Sequence, residues 1–266
     1  MPNRLSIVIP AYNEESTLRA VVQKVLTVPC LFEIVVVNDC STDATGKIAD
    51  DLARSHPQIK VVHQPRNGGK TEALKAGFAK TDGDIVIVQD ADLEYDPSDI
   101  GEVIAPIVAG EADVVYGSRF LVRRAARALY FYHYVANKGL TFLSNLFTNV
   151  NLTDVETGYK AFRGEIIREM KITSRGFGFE IEVTAKVAKL GCRIYEVPIS
   201  YYGRTYEEGK KIGPVDGLLA LWYIVLFNLF CSLDRSYRSR PNIVSVLSQE
   251  ANAGPYQARE RVVLSE

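Results

Sequence analysis

Short apolar runs alternate with helical segments through the first half of this 266-residue chain. The apolar runs, rich in β-branched residues, predict strands at residues 5–10, 32–37, 60–63, 85–89 and 112–116. Apolar residues at helical spacing predict helices between them, at 16–26, 42–53, 71–79 and 98–108. This order indicates the α/β class, with right-handed crossovers, a mixed but mostly parallel sheet and helices on both of its faces.

The length allows one large α/β domain or two small ones, and the composition suits a globular core. Hydrophobic residues make up 47% of the chain and the formal net charge is -1, so nothing in the charge favours nucleic acid as a partner. Cys30, Cys40, Cys192 and Cys231 lie far apart without C-x-x-C spacing, which predicts reduced thiols in a cytosolic compartment and no zinc site. A strand begins by Leu5, so we expect no signal peptide.

Polar clusters follow four of the predicted strands. They are residues 12–14, 38–39, 90–94 and 117–119. Ligands of open α/β sheets lie beyond the carboxyl ends of the strands, so we expect these clusters to form one site. Each alone could be a turn or a helix cap, and capping remains an alternative for Asp39 and Asp43. The sequence has neither G-x-G-x-x-G nor a Walker A motif.

Asp90, Asp92 and Glu94 form the most acidic of these clusters. Three carboxylates two residues apart point the same way at the end of a strand and would repel one another. A divalent cation, Mg²⁺ or Mn²⁺, would hold them together and bring a phosphate-bearing substrate with it. The alternative is a solvated acidic loop.

Two later segments are typical of a membrane surface. Residues 119–150 combine five basic residues, no acidic residue and many aromatic side chains. Residues 218–233 are almost wholly apolar but shorter than the ~20 residues that span a bilayer. For residues 119–150 the alternative is an ordinary helix pair packed on the sheet, and for residues 218–233 it is packing on residues 119–150. Between them, residues 204–211 form a charged loop whose basic side chains could close over a pyrophosphate.

Seven segments together resemble the family 2 inverting glycosyltransferases of GT-A fold. Four carry the general likeness: IVIPAYNEE at 7–15, VVVNDCSTD at 35–43, RNGGKTEALKAGF at 66–78 and DADLEYDP at 90–97. Three narrow it to the dolichyl-phosphate mannose synthase group: GSRF at 117–120, DVETGYKAFR at 154–163 and RTYEEGKKI at 204–212. The group moves a sugar from a nucleotide donor to a polyprenyl phosphate.

The resemblance implies roles for individual residues. Asp92, Arg119 and Arg204 would be catalytic, and Asp90, Asp92 and Glu94 would hold Mg²⁺ or Mn²⁺. The acceptor phosphate would meet Arg119 and His133, although some members have arginine at the place of His133; many members also have Gln where Glu94 stands. The residues implied in donor binding are Pro10, Tyr12, Glu14, Val37, Asp39, Asp90, Ala91, Asp92, Glu94, Arg119, Arg204 and Lys210.

The expected domain organisation is a GT-A domain at 1–213, with amphipathic interface helices at 119–150. An apolar membrane-associated helix at 214–234 and a polar, mobile tail at 235–266 would follow. The expected partners are a nucleotide-diphosphate sugar, a polyprenyl phosphate and a membrane surface, with the protein peripheral or monotopic on the cytoplasmic face.

The leading function is transfer of a hexose, foremost mannose from GDP-mannose, to a polyprenyl phosphate. An ionised phosphate acceptor needs no strong general base. One alternative transfers glucose or another sugar from a UDP-sugar to a lipid phosphate or a saccharide; a sugar-hydroxyl acceptor would need a base, with Glu180 and Glu182 as first candidates. The other alternative is a non-catalytic nucleotide-sugar-binding protein.

Overall fold

A computed structural model describes residues 3–121, 130–203, 214–241 and 243 of the chain. Its described part contains a seven-stranded mixed sheet in the order β3-β2-β1-β4-β6-β5-β7. The strands are β1 (Leu5–Ala11), β2 (Leu31–Asn38), β3 (Ile59–His63), β4 (Ile85–Val88), β5 (Val114–Ser118), β6 (Lys160–Arg163) and β7 (Ile194–Pro198). The α/β class and the five strands expected in the first half are confirmed, with ends shifted by at most two residues.

The described helices cover both faces of the sheet. They are α1 (Leu18–Val25), α2 (Thr45–Ser55), α3 (Lys70–Phe78), α4 (Ile100–Val108), α5 (Phe131–Thr148), α6 (Gly164–Glu169), α7 (Phe179–Leu190), α8 (Pro214–Val225) and α9 (Leu233–Ser236). A short 3₁₀ helix, Pro97–Asp99, precedes α4, and a π-helical turn, Leu226–Phe230, continues α8.

Alternate residues of each central strand enter two separate hydrophobic cores. Ile7 and Ile34 pack with α1, α2 and α4 on one face, whereas Val8 and Val35 pack with α3, α6 and α7 on the other. All four side chains are fully buried. Successive side chains of a strand point to opposite faces of the sheet, and here both faces are buried. The strands therefore appear in the sequence as continuous apolar runs.

Strand β6 is one element that the sequence did not predict. It runs antiparallel between β4 and β5, pairing Ile87 with Ala161 and Tyr116 with Lys160. Because of this direction, the segment that leads into β6 lies at the same edge of the sheet as the carboxyl ends of β4 and β5. Residues 154–158 therefore reach the edge where the predicted polar clusters lie.

The beginning of the expected mobile tail is packed, so that prediction is wrong for residues 235–239. Tyr237 is 3% exposed, and its hydroxyl donates to the backbone oxygen of Lys186. Arg238 and Ser239 donate backbone N–H groups to Glu169. Tyr237 supplies the apolar contact that holds this otherwise polar stretch against the core. Residues 242 and 244–266 lie outside the described part.

Candidate active site

A cavity of about 340 Å³ opens at the carboxyl edge of the sheet. The turns after β1, β2, β4 and β5 all contribute to its wall, as the sequence predicted for ligand sites of open sheets. Nine of the residues implied in donor binding line it: Pro10, Tyr12, Glu14, Asp39, Asp90, Ala91, Asp92, Glu94 and Arg119.

Three of these turns hold a non-glycine residue in the left-handed region. Asn13 follows β1 with φ 54°, Cys40 follows β2 with φ 58°, and Leu93 follows β4 with φ 61°. Such residues are uncommon, because this conformation is unfavourable for residues other than glycine. Hydrogen bonds hold the first two turns together: the backbone N–H of Thr42 donates to Asn13 Oδ1, 2.9 Å, and that of Asn13 to Ser41 Oγ, 3.1 Å.

Asp39 fixes the glycine turn that begins α3. Its two carboxylate oxygens accept the backbone N–H groups of Gly68 and Gly69 at 2.9 and 2.8 Å. Gly69 has φ 79°, a conformation that glycine adopts without a steric penalty. Asp39 thus holds a loop while lining the cavity, and Asp43 accepts the backbone N–H of Thr45 at the start of α2. Neither side chain caps the helix that follows it at its N-cap position.

The acidic turn does not present three convergent carboxylates. In the described part of the chain, no three His, Cys, Asp or Glu side chains are grouped so that they could hold a metal ion. Asp92 Oδ1 accepts the backbone N–H of Glu94, and Glu94 Oε2 accepts the Tyr201 hydroxyl at 2.7 Å. A preformed three-carboxylate site is therefore absent from these residues, and cation binding by Asp92 and Glu94 stays a prediction.

Asp90 belongs instead to a largely buried chain of ion pairs, in which the side chains of Lys70 and Asp90 are each 17% exposed. Lys70 Nζ lies 3.0 Å from Asp90 Oδ1 and 3.2 Å from Glu180 Oε1. Burial alone would lower the pKa of Lys70, but the attraction of Asp90 and Glu180 outweighs it and raises that pKa well above its usual value. Lys70 therefore stays charged and neutralises part of the acidic wall.

Close backbone packing brings Asp90, Lys70 and Glu180 together. A Cβ at Gly158 would lie 2.7 Å from Asp90 Oδ2 and 3.2 Å from Lys70 Nζ, so a larger residue here would force the ion pair to shift. On the other side, the backbone oxygen of Gly176 accepts from Thr71 Oγ1 at 2.8 Å. This bond ties the loop before α7 to α3 and brings Glu180 to Lys70.

Arg119 is held rigidly at the end of β5. Its Nε and Nη2 each lie 2.7 Å from the Asp154 carboxylate in a bidentate pair. Burial opposes the charge, but the Asp154 carboxylate outweighs it and raises the pKa of Arg119 well above its usual value. The guanidinium carbon also lies 5.2 Å from the centre of the Tyr201 ring. A fixed, permanently charged fork of this kind suits an anionic group.

Four predicted site residues do not line the cavity or cannot be placed. Val37 is fully buried in the core beneath α3, so its side chain cannot touch a ligand in the cavity. His133 lies on α5, with its ring 5.9 Å from that of Tyr130, and is not among the lining residues. Arg204 and Lys210 lie outside the described residues.

Sequence reasoning assigned no role to several lining residues. Lys70 lies in the segment RNGGKTEALKAGF at 66–78, but no role was predicted for it. Glu156 lies in the segment before strand β6, which was not predicted. Glu180, a candidate base for a hydroxyl acceptor, does line the cavity. Glu182 does not; its carboxylate accepts the backbone N–H groups of Thr173 and Ser174 and is structural.

The described wall of the cavity is strongly acidic. It contains seven carboxylates, on Glu14, Asp39, Asp90, Asp92, Glu94, Glu156 and Glu180, against the two cations Lys70 and Arg119. Asp154 already neutralises Arg119. A diphosphate entering this wall would be repelled unless further positive charge came with it. Hard cations are commonly held by one or two carboxylates plus substrate phosphates, and Asp92 and Glu94 fit that arrangement.

Sequence comparisons identify relatives along most of the chain. A profile described as Glycosyl transferase family 2 matches residues 6–171. An undecaprenyl-phosphate mannosyltransferase of Micrococcus luteus is 30% identical over 224 residues, covering 80% of this chain and 90% of that protein. A polyprenol monophosphomannose synthase of Mycolicibacterium smegmatis is 30% identical over 217 residues, covering 79% of this chain and 82% of that protein.

Solved structures show the same fold. Glucosyl-3-phosphoglycerate synthase from Mycobacterium tuberculosis superimposes with a TM-score of 0.67 at 22% identity, covering 85% of this chain and 81% of that one. The same enzyme has been solved with Mn²⁺, uridine diphosphate and glucosyl-3-phosphoglycerate, with a TM-score of 0.65 to this chain. With the family profile and the mannosyltransferase relatives, these likenesses establish that the chain is a GT-A glycosyltransferase and belongs to glycosyl transferase family 2.

Proposed function

We propose that this protein transfers a hexose, foremost mannose from GDP-mannose, to a polyprenyl phosphate at a membrane surface. Two relatives at 30% identity are named for mannosyl transfer to such acceptors, which supports this choice. The observation that supports a lipid acceptor is an exposed apolar helix face that contacts the cavity wall.

That apolar face is formed by α5 and α8, with the π-helical turn after α8. The two helices pack against each other through Leu140, Leu143 and Ile224, above Ile181 of α7. Their outer side chains remain largely exposed: Phe131 70%, Tyr132 84%, Phe142 66%, Leu146 67%, Leu218 68%, Trp222 57%, Leu229 60% and Phe230 66%. Exposed apolar side chains on two helices packed together are typical of an interaction surface, and aromatic side chains suit the headgroup region of a bilayer.

Contacts run from this apolar face to the cavity on two sides. Asn137 of α5 donates to Asp154 Oδ1 at 3.3 Å, and Asp154 holds Arg119 in the cavity wall. Gly176 and Phe177 line the cavity and also a smaller pocket of about 230 Å³ against α8. A lipid whose tail lies on the apolar face could therefore bring its phosphate to Arg119.

No helix in the described part of the chain is long and apolar enough to cross a bilayer. We accordingly propose peripheral or monotopic association with the membrane, on its cytoplasmic face. The four cysteines all lie within the described residues and are free.

In the proposed reaction, a phosphate oxygen of the acceptor attacks the anomeric carbon opposite the departing nucleoside diphosphate. The acceptor oxygen is already ionised, so positioning and charge neutralisation carry the catalysis. Arg119, fixed by Asp154, would orient the acceptor phosphate, and Lys70 would limit the negative charge of the wall. A bound Mg²⁺ or Mn²⁺, held by Asp92 and Glu94 with diphosphate oxygens, would neutralise charge on the leaving group.

A donor panel tests this proposal. The protein is incubated with labelled GDP-mannose, UDP-glucose or UDP-galactose, polyprenyl phosphate and Mn²⁺, and the product is extracted into organic solvent. We expect GDP-mannose to give the most labelled product in the organic phase. No donor should give labelled product in the presence of EDTA. Binding of donor without transfer to any acceptor would favour the non-catalytic alternative instead.

A further inference from the structure

Tyr201 contacts two charged residues that both have a task in the proposed reaction. Its hydroxyl donates to Glu94 Oε2 at 2.7 Å, and the centre of its ring lies 5.2 Å from the guanidinium carbon of Arg119. Tyr201 itself lines the cavity. It follows β7, whereas Glu94 follows β4 and Arg119 follows β5, so this one side chain connects the ends of three strands.

The main chain around Tyr201 is fastened to the acidic turn. Tyr95 and Tyr201 form an antiparallel bridge, and the backbone N–H of Tyr202 donates to the backbone oxygen of Glu94 at 2.8 Å. The rings of Tyr95 and Tyr201 lie 5.3 Å apart. A Cβ at Gly203 would lie 2.7 Å from Tyr201 Cε1, so the backbone packs directly on the ring. Because main chain and ring are both held, the hydroxyl can fix the Glu94 carboxylate.

The hydroxyl and the ring of Tyr201 act on opposite charges. A carboxylate that holds a cation is oriented by the hydrogen bonds it accepts, and loss of such a partner typically weakens metal binding or activity tenfold or more. An arginine beside an aromatic ring is attracted to the face of that ring, which restrains the guanidinium. Tyrosine supplies both interactions, whereas phenylalanine would supply only the second.

We propose that Tyr201 is a positioning residue that serves both halves of the reaction. Its hydroxyl orients Glu94 for the cation that accompanies the nucleotide diphosphate, and its ring restrains Arg119 for the acceptor phosphate. In this role Tyr201 touches no reacting atom. The part that concerns Arg119 rests on the proposed function, whereas the part that concerns Glu94 holds for any acceptor.

Two substitutions separate the hydroxyl from the ring. Tyr201→Phe removes the hydrogen bond to Glu94 and keeps the ring beside Arg119, whereas Tyr201→Leu removes both. Tyr202→Phe is the matched control, because this neighbouring tyrosine is 58% exposed and does not line the cavity.

Two quantities are measured for each variant. The first is Mn²⁺ binding at a fixed concentration of GDP, or of the nucleoside diphosphate of the donor that the panel selects, followed by the EPR signal of free Mn²⁺. The second is the pair of KM and kcat for polyprenyl phosphate in vesicles at saturating Mn²⁺ and donor. The first measurement needs no turnover.

We expect Tyr201→Phe to bind Mn²⁺ about tenfold more weakly than the wild type and to keep the wild-type KM for polyprenyl phosphate. Tyr201→Leu should lose the same Mn²⁺ affinity and, in addition, show a KM for polyprenyl phosphate raised about fivefold, because the contact with Arg119 is gone. Tyr202→Phe should match the wild type in both measurements. A merely structural role would not separate the two quantities in this way.

Wild-type Mn²⁺ binding in Tyr201→Phe, or no Mn²⁺ binding by the wild-type protein with the nucleotide, would overturn the role of the hydroxyl. An unchanged KM in Tyr201→Leu would overturn the role of the ring. A wild-type protein that binds Mn²⁺ and nucleotide but transfers no sugar to polyprenyl phosphate would overturn the proposed function and the role of the ring with it. The Mn²⁺ titration would still decide the role of the hydroxyl, so the two failures are distinguishable.

Discussion

Asp92 is the residue most directly placed to offset the charge of a bound diphosphate. It lines the cavity, and its Oδ1 accepts the backbone N–H of Glu94 within the turn. Asp92→Asn keeps the shape and that hydrogen bond but removes the charge that would attract a cation. We expect transfer to fall at least about 100-fold, since ion-based charge stabilisation contributes several kcal/mol.

The measurements for Asp92→Asn are the initial rate at saturating Mn²⁺ and the melting temperature, which should stay within about 2 °C of wild type. Glu111→Gln is the control and should leave both unchanged, because Glu111 is exposed and lies outside the cavity lining. Near-normal turnover in Asp92→Asn would contradict the assignment of the cation to this turn.

Glu156 should make the protein less stable as the pH rises from about 4.5 to about 7. Its pKa is raised from 4.5 to about 7 by burial and by Glu180. Between these values the unfolded chain has lost the proton that the folded protein still holds, so rising pH favours unfolding. Urea unfolding at pH 5 and pH 7.5 should show this loss in the wild type and a smaller one in Glu156→Gln; identical pH dependence of both would contradict the raised pKa.

Residues that follow a strongly apolar strand could be predicted from the sequence, because strand ends and ligand edges coincide in open sheets. Asp90, Asp92 and Arg119 follow such strands, were predicted for that reason, and line the cavity. The partners of these residues could not be predicted. Lys70 pairs with Asp90 beside Gly158, a residue of a distant segment whose lack of a side chain leaves room for both. Such pairings depend on tertiary packing and leave no local pattern.

At the scale of elements, the ion pairs of α3 differ sharply in what they contribute. Lys70 connects two nearly buried carboxylates, whereas Lys75 pairs with Glu72 on the helix surface at 2.7 Å. Lys70→Met leaves Asp90 and Glu180 uncompensated, and we expect it to lower the free energy of unfolding by about 3–5 kcal/mol. Lys75→Met, on the same helix, should cost about 0.5 kcal/mol or less.

Urea denaturation of the two lysine variants measures this difference. A similar small effect of both substitutions would show that Asp90 and Glu180 do not depend on Lys70. The comparison is matched, because both variants replace a lysine of α3 with the same residue.

Strand β6 shows why part of the fold escaped prediction. Its four residues, Lys160–Arg163, begin and end with basic side chains and carry no apolar run. The neighbours supply its environment: β4 and β5 pair with it on both edges, and the Lys160 ammonium donates to the backbone oxygens of Val155 and Thr157. The sequence alone would place a lysine at the surface, whereas Lys160 is buried and its hydrogen bonds are made by backbone oxygens. The strand therefore depends on tertiary pairing and has no local sequence pattern.

At the scale of the whole molecule, the exposed face of α5 and α8 should govern membrane binding. Replacing Phe142, Leu146, Trp222 and Leu229 with serine removes exposed apolar area without touching the cores. We expect binding to anionic vesicles to weaken at least about tenfold, because area buried in the interface sets the affinity. The melting temperature should change little.

Vesicle co-sedimentation at low and high salt measures this effect. Wild-type protein should be released only partly by salt, since the basic residues are screened but the apolar contact is not. Val108→Ser, an exposed apolar position on α4, is the control and should bind like wild type. Equal vesicle binding of the fourfold variant and the wild type would exclude α5 and α8 as the membrane surface.

The most direct test of lipid-phosphate glycosylation is a comparison of acceptors in one assay. Labelled GDP-mannose, or the donor that the panel selects, is offered with Mn²⁺ and one of three acceptors: a polyprenyl phosphate in vesicles, the same polyprenol without its phosphate, or 3-phosphoglycerate in solution. The initial rate of transfer is measured for each. We expect rapid transfer to the polyprenyl phosphate and none to the polyprenol, because the phosphate oxygen is the nucleophile. Faster transfer to 3-phosphoglycerate than to the lipid phosphate would contradict the account.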